Sequence, residues 1–592
     1  MRIFILSLLS MIFSFQQASA ASIDETIERY FAPFSDALSS IIFTSISLNG
    51  AKLPILILFM LVSSFFLTFY FRGVNIWAFK HGLEQIFKKK ANEGHKGEVS
   101  SFGALATALS GTVGLGNIAG VAVAISVGGP GAMFWMCFGA LFGMALKFCE
   151  VTLSLKYRIF HDDGSVSGGP MYYIDKGLAK KGWKKLGKTL AYIFALACLP
   201  GTVGGGCMLQ ANQATQQFAV ITGGENSFFA IHSWVFGLAI AILIGLVVVG
   251  GIKSIAKVTS AIVPFMCMLY MISCIVIVAV HFTHIPEAIC TIFREAFFPK
   301  AVAGGFIGCI VMGLRRSIQS NEAGVGSSPI AYAAVKTNEP ASQGFVSMLE
   351  PFFDTIIVCS MTAFVIILTG EYMNFTEGMT GVQLTSSAFA SVVSFFPYVL
   401  ACIIILFAIS TSISWAYYGQ KAWTFLVGEG KKRVVTYQLI FCLFIVIGSS
   451  MNIKSVIDFT DATYLLMALP NMIAIFILLK EIKEELIKYC KKHNLINPMN
   501  KVWFEEKAQN ESRFKKNIKF KRFNFRSSRI YGWLRNFHCV CRHFKNGWKC
   551  LVFTFSLDYC RFIFFVRCNS ICRTSFKHKR RRRTIYVLKE NV

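Results

Sequence analysis

Two short glycine-rich segments are the parts of this sequence best suited to bind a small ligand. They are residues 110–120 and 320–329, which read Ser-Gly-Thr-Val-Gly-Leu-Gly-Asn-Ile-Ala-Gly and Ser-Asn-Glu-Ala-Gly-Val-Gly-Ser-Ser-Pro. Each glycine lowers helix propensity by about 1 kcal/mol relative to alanine, and neighbouring Asn and Ser side chains compete for backbone groups. Both segments are therefore predicted to interrupt a helix.

An interrupted helix leaves backbone amides and carbonyls free to bind charged ligands. The positive N-terminal end of a half-helix suits a carboxylate, whereas free carbonyls and hydroxyls suit Na⁺. A hydroxyl cluster at residues 408–412 (Ala-Ile-Ser-Thr-Ser) could complete such a cation site. The alternatives are that the glycines only allow close helix packing and that the hydroxyls only form interhelical hydrogen bonds.

The composition of the 592-residue chain indicates a protein that crosses a membrane many times. Hydrophobic residues make up 54% of the chain and charged residues only 15%, whereas about a quarter of the residues in soluble proteins are charged. Most of the formal net charge of +28 lies after residue 490. The basicity is therefore no evidence that the main body binds nucleic acid.

Eleven segments are apolar and long enough to cross a bilayer as helices. They are residues 53–72, 102–126, 131–155, 189–218, 232–250, 258–281, 301–330, 343–369, 397–426, 434–451 and 456–480. Lys and Arg concentrate in alternate loops, which is typical of loops on the cytoplasmic side. The sequence therefore predicts an all-α integral membrane protein with eleven spans and a cytoplasmic C-terminus.

The two glycine-rich segments are related by their positions in this topology. They lie in the second and seventh spans, and both contain a Gly-apolar-Gly-polar core, at residues 114–117 and 324–327. An offset of five spans makes them run in opposite directions through the bilayer. Two five-helix units of opposite orientation, each opening with a broken helix, are typical of the inverted repeats of secondary transporters.

The ends of the chain differ in composition from the spans. Residues 1–20 combine Arg2, an apolar stretch and small residues, as in a secretory signal peptide, with an uncleaved anchor as the alternative. Residues 21–52 are expected to be an extracytoplasmic segment, and residues 53–482 a transmembrane domain. Residues 483–592 form a basic tail that, beyond a short charged helix, shows no helical or strand periodicity, which predicts a disordered or aberrant extension.

Several motifs resemble those of the alanine or glycine:cation symporter family. They are residues 111–120, 128–136 (Gly-Gly-Pro-Gly-Ala-Met-Phe-Trp-Met), 168–173 (Gly-Gly-Pro-Met-Tyr-Tyr), 320–324 (Ser-Asn-Glu-Ala-Gly), 350–359 (Glu-Pro-Phe-Phe-Asp-Thr-Ile-Ile-Val-Cys) and 415–419 (Trp-Ala-Tyr-Tyr-Gly). The resemblance implies a LeuT-type core, a 5+5 inverted repeat, with one extra N-terminal helix. It also implies import of alanine, glycine or similar small neutral amino acids with Na⁺, or in some members with H⁺.

The resemblance further implies which residues bind the substrate and the cation. The substrate residues are Thr112, Gly114, Gly116, Asn117, Gln210, Gln319, Asn321 and Trp415, with the Trp415 indole limiting the size of the amino acid. The sodium ligands are the carbonyls of Ser110, Val113 and Ala408 and the hydroxyls of Thr411 and Ser412. Gln319 stands where the family usually has Phe, so another small solute is an alternative, as is proton coupling.

Ionisable side chains inside the spans are costly unless they are paired. Glu322 is expected to form a structural ion pair, with Arg315 or Arg316 as the partner, or to act as a gate, rather than bind substrate. Asp354 is either a proton relay or a buried hydrogen-bonded carboxylate. Asp458 and Asp461, at the outer end of the last span, are expected to be solvated.

The lack of enzyme motifs in the sequence favours a carrier over an enzyme. The sequence contains no nucleophile elbow, no histidine cluster with metal-ligand spacing and no phosphate-binding loop. We therefore expect a multi-pass protein of the cell inner membrane that needs no cofactor, nucleic acid or obligate protein partner.

Overall fold

Helices dominate the part of the chain that the structure describes. The computed structural model describes residues 23–48, 51–87, 96–299, 305–374, 381–451, 453–495, 501, 550–557 and 560–567. The chain divides into two units, Met1–Trp503 and Phe504–Val592, which are considered separately. The expected signal peptide at residues 1–20 lies outside the described residues.

The α-helices of the first unit follow one another with short connections. In chain order they are α1 (Ile23–Ile42), α2 (Ile55–Tyr70), α3 (Val74–Trp77), α4 (Phe79–Phe87), α5 (Ser101–Thr112), α6 (Val121–Gly128), α7 (Ala132–Tyr157), α8 (Pro170–Lys180), α9 (Lys184–Val203), α10 (Leu209–Ile221), α11 (Phe228–Ile231) and α12 (Ser233–Val248). They continue with α13 (Gly251–Val280), α14 (Ile285–Phe297), α15 (Gly305–Asn321), α16 (Pro329–Tyr332), α17 (Pro340–Ser347), α18 (Ser360–Thr369), α19 (Gly381–Ala390), α20 (Phe396–Val427), α21 (Lys431–Ser449), α22 (Ile453–Ile477) and α23 (Leu479–Lys492).

Among the described residues, the other elements are few and short. Three π-helical turns (Gly116–Gly120, Gly204–Met208 and Phe352–Cys359) lie within longer helical rods. The strands form antiparallel pairs, β1 (Ser45–Leu48) with β2 (Ala51–Pro54) and β3 (Ile159–Phe160) with β4 (Val166–Ser167). π-turns widen a helix by one residue and occur often at functional sites.

Local sequence explains where several helices begin and end. Ser100 precedes α5, and its hydroxyl accepts a hydrogen bond from the Gly103 amide at 3.0 Å, which satisfies one free amide of the first turn. Gly370 follows α18 with φ 72°, a left-handed conformation that glycine adopts without steric cost. These termini fix the lengths of the two helices.

Each of the eleven predicted spans contains a helix. The number of long apolar helices identifies a multi-pass membrane protein. Among the described residues, seven helical rods are long and apolar enough to cross a membrane, and an eighth is the bent pair formed by α5 and Gly116–Gly128. The two halves of that pair meet at 50°. The other predicted segments correspond to the shorter helices α2, α12 and α15. The rods of α20, α22 and α9–α10 are the most enclosed by protein, whereas α13 presents most of its apolar surface outward.

The described part of the second unit is one pair of strands. Strands β5 (Cys550–Leu557) and β6 (Cys560–Arg567) pair in antiparallel register, with Cys550 opposite Arg567 and Leu557 opposite Cys560. Their sequences contain many Phe, Val and Ile residues, which favour strands even without alternation of apolar and polar side chains. The expectation that residues 483–592 form a disordered or aberrant tail stays a prediction.

Helix α23 follows the last span and packs against the ends of earlier helices through Glu481. Its carboxylate is 3.1 Å from the Lys156 ammonium and 3.7 Å from that of Lys180, and it accepts a hydrogen bond from the Tyr157 hydroxyl. Burial raises the pKa of Glu481, but the hydrogen bonds of Tyr157 and Lys156 and the nearby positive charges outweigh burial and lower the pKa below its ordinary value. Glu481 is therefore expected to anchor α23.

Glu481→Gln is expected to lower the free energy of unfolding by about 1 to 3 kcal/mol, because it removes charged hydrogen bonds at a buried position. Since folding lowers the pKa of Glu481, its contribution is present near neutral pH and is lost as the pH falls through the folded-state pKa. Thermal unfolding of the purified protein measures the effect. The matched control is Glu484→Gln on the exposed face of α23, and equal melting of both variants would contradict the expectation.

Candidate functional site

The structure contains a break in the helix at the first glycine-rich segment, and the break is shorter than predicted. Helix α5 continues to Thr112, the π-turn begins at Gly116, and only residues 113–115 between them are non-helical. Side chains bind the amides that this break frees. The Gly114 amide donates to Asn117 Oδ1 at 2.9 Å, and the Leu115 amide donates to Gln210 Oε1 at 3.1 Å.

Gln210 is positioned by the π-turn in the α9–α10 rod. Its Nε2 donates to the Gly205 carbonyl at 3.0 Å, so its Oε1 faces the Leu115 amide. Gln210 therefore accepts from the backbone of the first interruption, and its contact with the substrate stays a prediction. The Thr112 hydroxyl is bound within its own helix, because it donates to the Ala108 carbonyl at 3.3 Å.

The second interruption is equally clear. Helix α15 ends at Asn321, residues 322–328 are non-helical, and α16 begins at Pro329. Gly324 and Gly326 have φ 89° and 88°, a region that side-chain-bearing residues rarely adopt. A Cβ on Gly324 would lie 2.9 Å from Met60 Cε, and one on Gly326 would lie 3.0 Å from Phe194 Cε2. These glycines therefore let the chain pass closely against its neighbours.

Gln319 and Ser320, at the end of α15, are the residues of this region that lie against the first interruption. A Cβ on Gly116 would stand 3.6 Å from the Gln319 carbonyl oxygen and from Ser320 Cα. The Asn117 amide Nδ2 donates to Ser320 Oγ at 3.3 Å. The two broken helices therefore touch directly, as the paired motifs suggested.

A buried polar centre, formed by Asn117, Ser320, Asp354 and Thr355, joins the two interruptions to the third π-turn. Asn117 Nδ2 donates to Asp354 Oδ1 at 2.7 Å, and Thr355 Oγ1 donates to Asp354 Oδ2 at 2.8 Å. The Ser320 hydroxyl also donates to Asp354 Oδ2. All four side chains are fully buried. Asp354 is thus a hydrogen-bonded buried carboxylate, one of its two predicted alternatives.

Ser320 and Thr355 are members of this centre that were not predicted from the sequence. Both residues lie in motifs whose spacing was recognised, and a hydroxyl next to an intramembrane Asp is a signal that could have found Thr355. The Asn321 side chain forms hydrogen bonds with residues near the second interruption. Its Nδ2 donates to Ser317 Oγ at 3.0 Å and to Thr355 Oγ1 at 3.2 Å. Its Oδ1 accepts from the Ala323 amide at 3.0 Å.

The residues predicted to hold sodium lie between α5 and α20. Thr411 Oγ1 donates to the Val113 carbonyl at 3.5 Å, and Ser110 Oγ donates to the Ser410 carbonyl at 2.6 Å. Ala408 and Ser412 are buried on the same helix as Thr411. Uncharged carbonyl and hydroxyl oxygens are hard donors that suit Na⁺. No cluster of three or more His, Cys, Asp or Glu that could hold a metal ion occurs in the described ranges.

An aromatic wall closes the region beside the first interruption. Trp415 is fully buried, its Nε1 donates to the Gly111 carbonyl at 3.2 Å, and its ring stacks on Tyr464 with centroids 5.1 Å apart. Tyr464 was not identified from the sequence. The Gln319 side-chain oxygen accepts a hydrogen bond from Arg316, so the polar end of Gln319 is already bound.

The expected pairing of Glu322 with Arg315 or Arg316 is wrong. Arg315 contacts Asp458 and Asp461, at 2.9 Å and 2.5 Å, and Arg316 also pairs with Asp461. The expectation that Asp461 is solvated is wrong as well, because its side chain is only 3% exposed. Helix α15 directs both arginines toward α22, whereas Glu322 accepts a hydrogen bond from Ser327 inside the second interruption.

Comparisons with known proteins identify the family of this chain. The sequence model of the Sodium:alanine symporter family matches residues 36–501. The sodium/alanine symporter AgcS of Methanococcus maripaludis is 39% identical over 72% of this chain and 92% of the relative. The probable sodium/glutamine symporter GlnT of Bacillus subtilis is 33% identical over 74% of this chain and 88% of the relative.

The structure of MhsT in complex with L-phenylalanine aligns with 65% of this chain and 90% of its own, at 15% identity and a TM-score of 0.47. The family model spans both interruptions, the polar centre and the aromatic wall. The chain belongs to the Sodium:alanine symporter family.

Proposed function

We propose that this chain is a symporter of the cell inner membrane that imports alanine or glycine together with Na⁺ by alternating access. Family membership supports sodium-coupled transport, and the likeness to the sodium/alanine symporter AgcS supports alanine as the substrate. The buried, neutral oxygen donors beside the first interruption support Na⁺ as the coupling ion. The contacts between the two broken helices support a site between them.

The proposed architecture is a LeuT-type 5+5 inverted repeat of ten helices behind one extra N-terminal helix, with eleven spans in all. Its support is the five-span offset between the two interruptions and the charge pattern of the loops. The same pattern favours a transporter domain at residues 53–482 and a cytoplasmic C-terminus. We expect the tail beyond residue 492 to be unnecessary for transport.

The observation that carries this proposal is that one peptide group is shared by the cation and substrate regions. The Val113 carbonyl faces Thr411, and the Gly114 amide, which is the other end of the same peptide bond, donates to Asn117. Na⁺ on that carbonyl withdraws electron density from the amide and makes its N–H a stronger donor to a carboxylate. Each ligand then raises the affinity of the other, as thermodynamic reciprocity requires.

Substrate binding follows from the contacts around this peptide group. The carboxylate of the amino acid takes the place of Asn117 Oδ1 and Gln210 Oε1 at the amides of Gly114 and Leu115. We expect the stacked rings of Trp415 and Tyr464 to limit the substrate to a small side chain. The substrate therefore needs no charged residue of the protein as a partner.

Reconstituted protein is expected to accumulate labelled alanine when the sodium gradient is directed inward. Accumulation should stop when Na⁺ is replaced by K⁺ on both sides, and unlabelled glycine should compete. The control is liposomes without protein. Accumulation that is equally strong in potassium would indicate proton coupling instead of sodium coupling. Competition by glutamine but not by glycine would indicate a different substrate.

Thr411→Ala is expected to raise the sodium concentration for half-maximal uptake about tenfold, because it removes one ligand of the cation, worth about 1.4 kcal/mol. Uptake measured at varied sodium and saturating alanine gives this value. Ser414→Ala is the matched control, since Ser414 is buried one turn further along α20 and donates to the Thr107 carbonyl at 2.8 Å. Equal sodium dependence in both variants would remove Thr411 from the cation site.

A further inference from the structure

A buried cluster of charges lies at the second interruption, apart from the residues assigned to Na⁺. Lys147 on α7 reaches it, and its ammonium is 3.1 Å from Glu350 Oε2. The ammonium also donates to Ser328 Oγ, in the interruption itself, at 2.9 Å. The side chains of Lys147 and Glu350 are both 0% exposed.

Two more buried carboxylates belong to this cluster. Glu150 lies one turn after Lys147, and its Oε1 accepts from Asn471 Nδ2 at 2.6 Å. Glu322, inside the interruption, accepts a hydrogen bond from Ser327. Asn471 also donates to the Gly324 carbonyl at 2.9 Å, which ties Glu150 to the same segment.

Two carboxylate oxygens of the cluster have no hydrogen-bond partner within the described part of the chain. They are Glu150 Oε2 and Glu350 Oε1, whereas Glu350 Oε2 is paired with the Lys147 ammonium and the Tyr332 hydroxyl lies against Glu350. All three residues are fully buried. Buried polar groups are nearly always paired, so these atoms indicate that the cluster has a further ligand.

The charges of the cluster do not balance. Lys147 interacts electrostatically with Glu150, Glu322 and Glu350, which gives three carboxylates for one ammonium. The other titratable groups that face these residues are Asp354, Cys149, Tyr173, Tyr332, Tyr418 and Tyr464, and none of them can supply a positive charge. Uncompensated charge in a buried site is costly, and a carboxylate relieves that cost by taking up a proton.

We propose that Lys147, Glu150, Glu322 and Glu350 form a proton-binding site. Glu350, the nearest carboxylate, is the counter-ion of Lys147, and Glu150 and Glu322 hold at least one proton near neutral pH. Because Glu322 belongs to the second interruption and Glu150 and Glu350 do not, loss of the proton adds repulsion between that segment and the neighbouring carboxylates. The site therefore makes the position of the second interruption depend on pH.

Infrared difference spectroscopy of the purified full-length protein in liposomes tests the site directly. Between about pH 6 and about pH 9, wild-type protein should lose the carbonyl absorbance of a protonated carboxyl group. Glu150→Gln or Glu322→Gln should remove or shift that absorbance, while Glu484→Gln on the exposed face of α23 should leave it unchanged. Absence of the band in wild-type protein, or its loss only in Asp354→Asn, would overturn the proposal.

Transport gives a second measurement, which rests on the proposed function. At a fixed sodium gradient, alanine uptake by wild-type protein should fall about fivefold or more toward pH 9, while Glu322→Gln, which stays neutral, should fall about twofold or less. Equal falls in both proteins would overturn the role of Glu322. The infrared test needs no transported solute, so a failure of the proton site and a failure of the alanine assignment give different results.

Discussion

Gly114→Ala is expected to reduce sodium-coupled alanine uptake by about a hundredfold, while the protein stays folded in the membrane. The added Cβ would lie 2.6 Å from Thr411 Oγ1 and 3.2 Å from Gln210 Oε1. Both contacts are too close, so Thr411 must move away from the Val113 carbonyl. The substitution therefore disturbs the proposed cation and carboxylate positions together. Uptake by reconstituted protein, normalised to the amount inserted, measures the effect.

Gly116→Ala is the matched control for this prediction. The nearest atoms to a Cβ at residue 116 are the Gln319 carbonyl oxygen and Ser320 Cα, both at 3.6 Å, which is ordinary van der Waals contact. Uptake should stay within about threefold of wild type, because the backbone amide is kept and the space exists. Similar losses in both variants would mean that glycine is needed at both positions for backbone flexibility rather than for the space next to Thr411.

Asn117→Asp is expected to abolish uptake, because it places a second carboxylate next to that of Asp354. The donor–acceptor distance between these side chains is 2.7 Å, and both are fully buried. Two charges at this distance cannot both remain ionised without a cost of several kcal/mol, which corresponds to a loss of about a hundredfold or more. Uptake assays and a check of membrane insertion measure the effect.

The exchanged pair Asn117→Asp with Asp354→Asn tests whether this contact is the cause. It restores one amide and one carboxylate at the same positions, and the new carboxylate can still accept from the Gly114 amide. We expect the double variant to recover about tenfold or more of the uptake that Asn117→Asp loses. A double variant as inactive as the single one would show that Asp354 must itself carry the negative charge.

Glycine content predicted the two interruptions well but not their extents. Residues 110–112 remain helical despite Gly111, because one glycine costs little in a helix held by α20. The Val113 amide still donates to the Leu109 carbonyl at 2.7 Å, and only the amides of Gly114 and Leu115 use side-chain acceptors, which are those of Asn117 and Gln210. Propensity locates such a break, whereas tertiary hydrogen bonds decide its length.

The predictions for ionisable residues failed where they relied on distance along the chain. Arg315 and Arg316 are close to Glu322 in sequence, but their side chains point from α15 toward α22, whereas Glu322 lies beyond the end of α15. Their partners, on α22, are more than a hundred residues away. Lys147 and Glu150, three residues apart in an apolar span, were a signal for a buried ion cluster, since charges in a span need partners.

The arginine–aspartate contacts between α15 and α22 have a consequence for movement. Arg315 is joined to both Asp458 and Asp461, and Arg316 to Asp461. The Arg316–Asp461 pair is buried, and separating such a pair would leave both charges without a partner. We therefore expect the half of the second broken helix that precedes the break to move together with α22, with any hinge in residues 322–328.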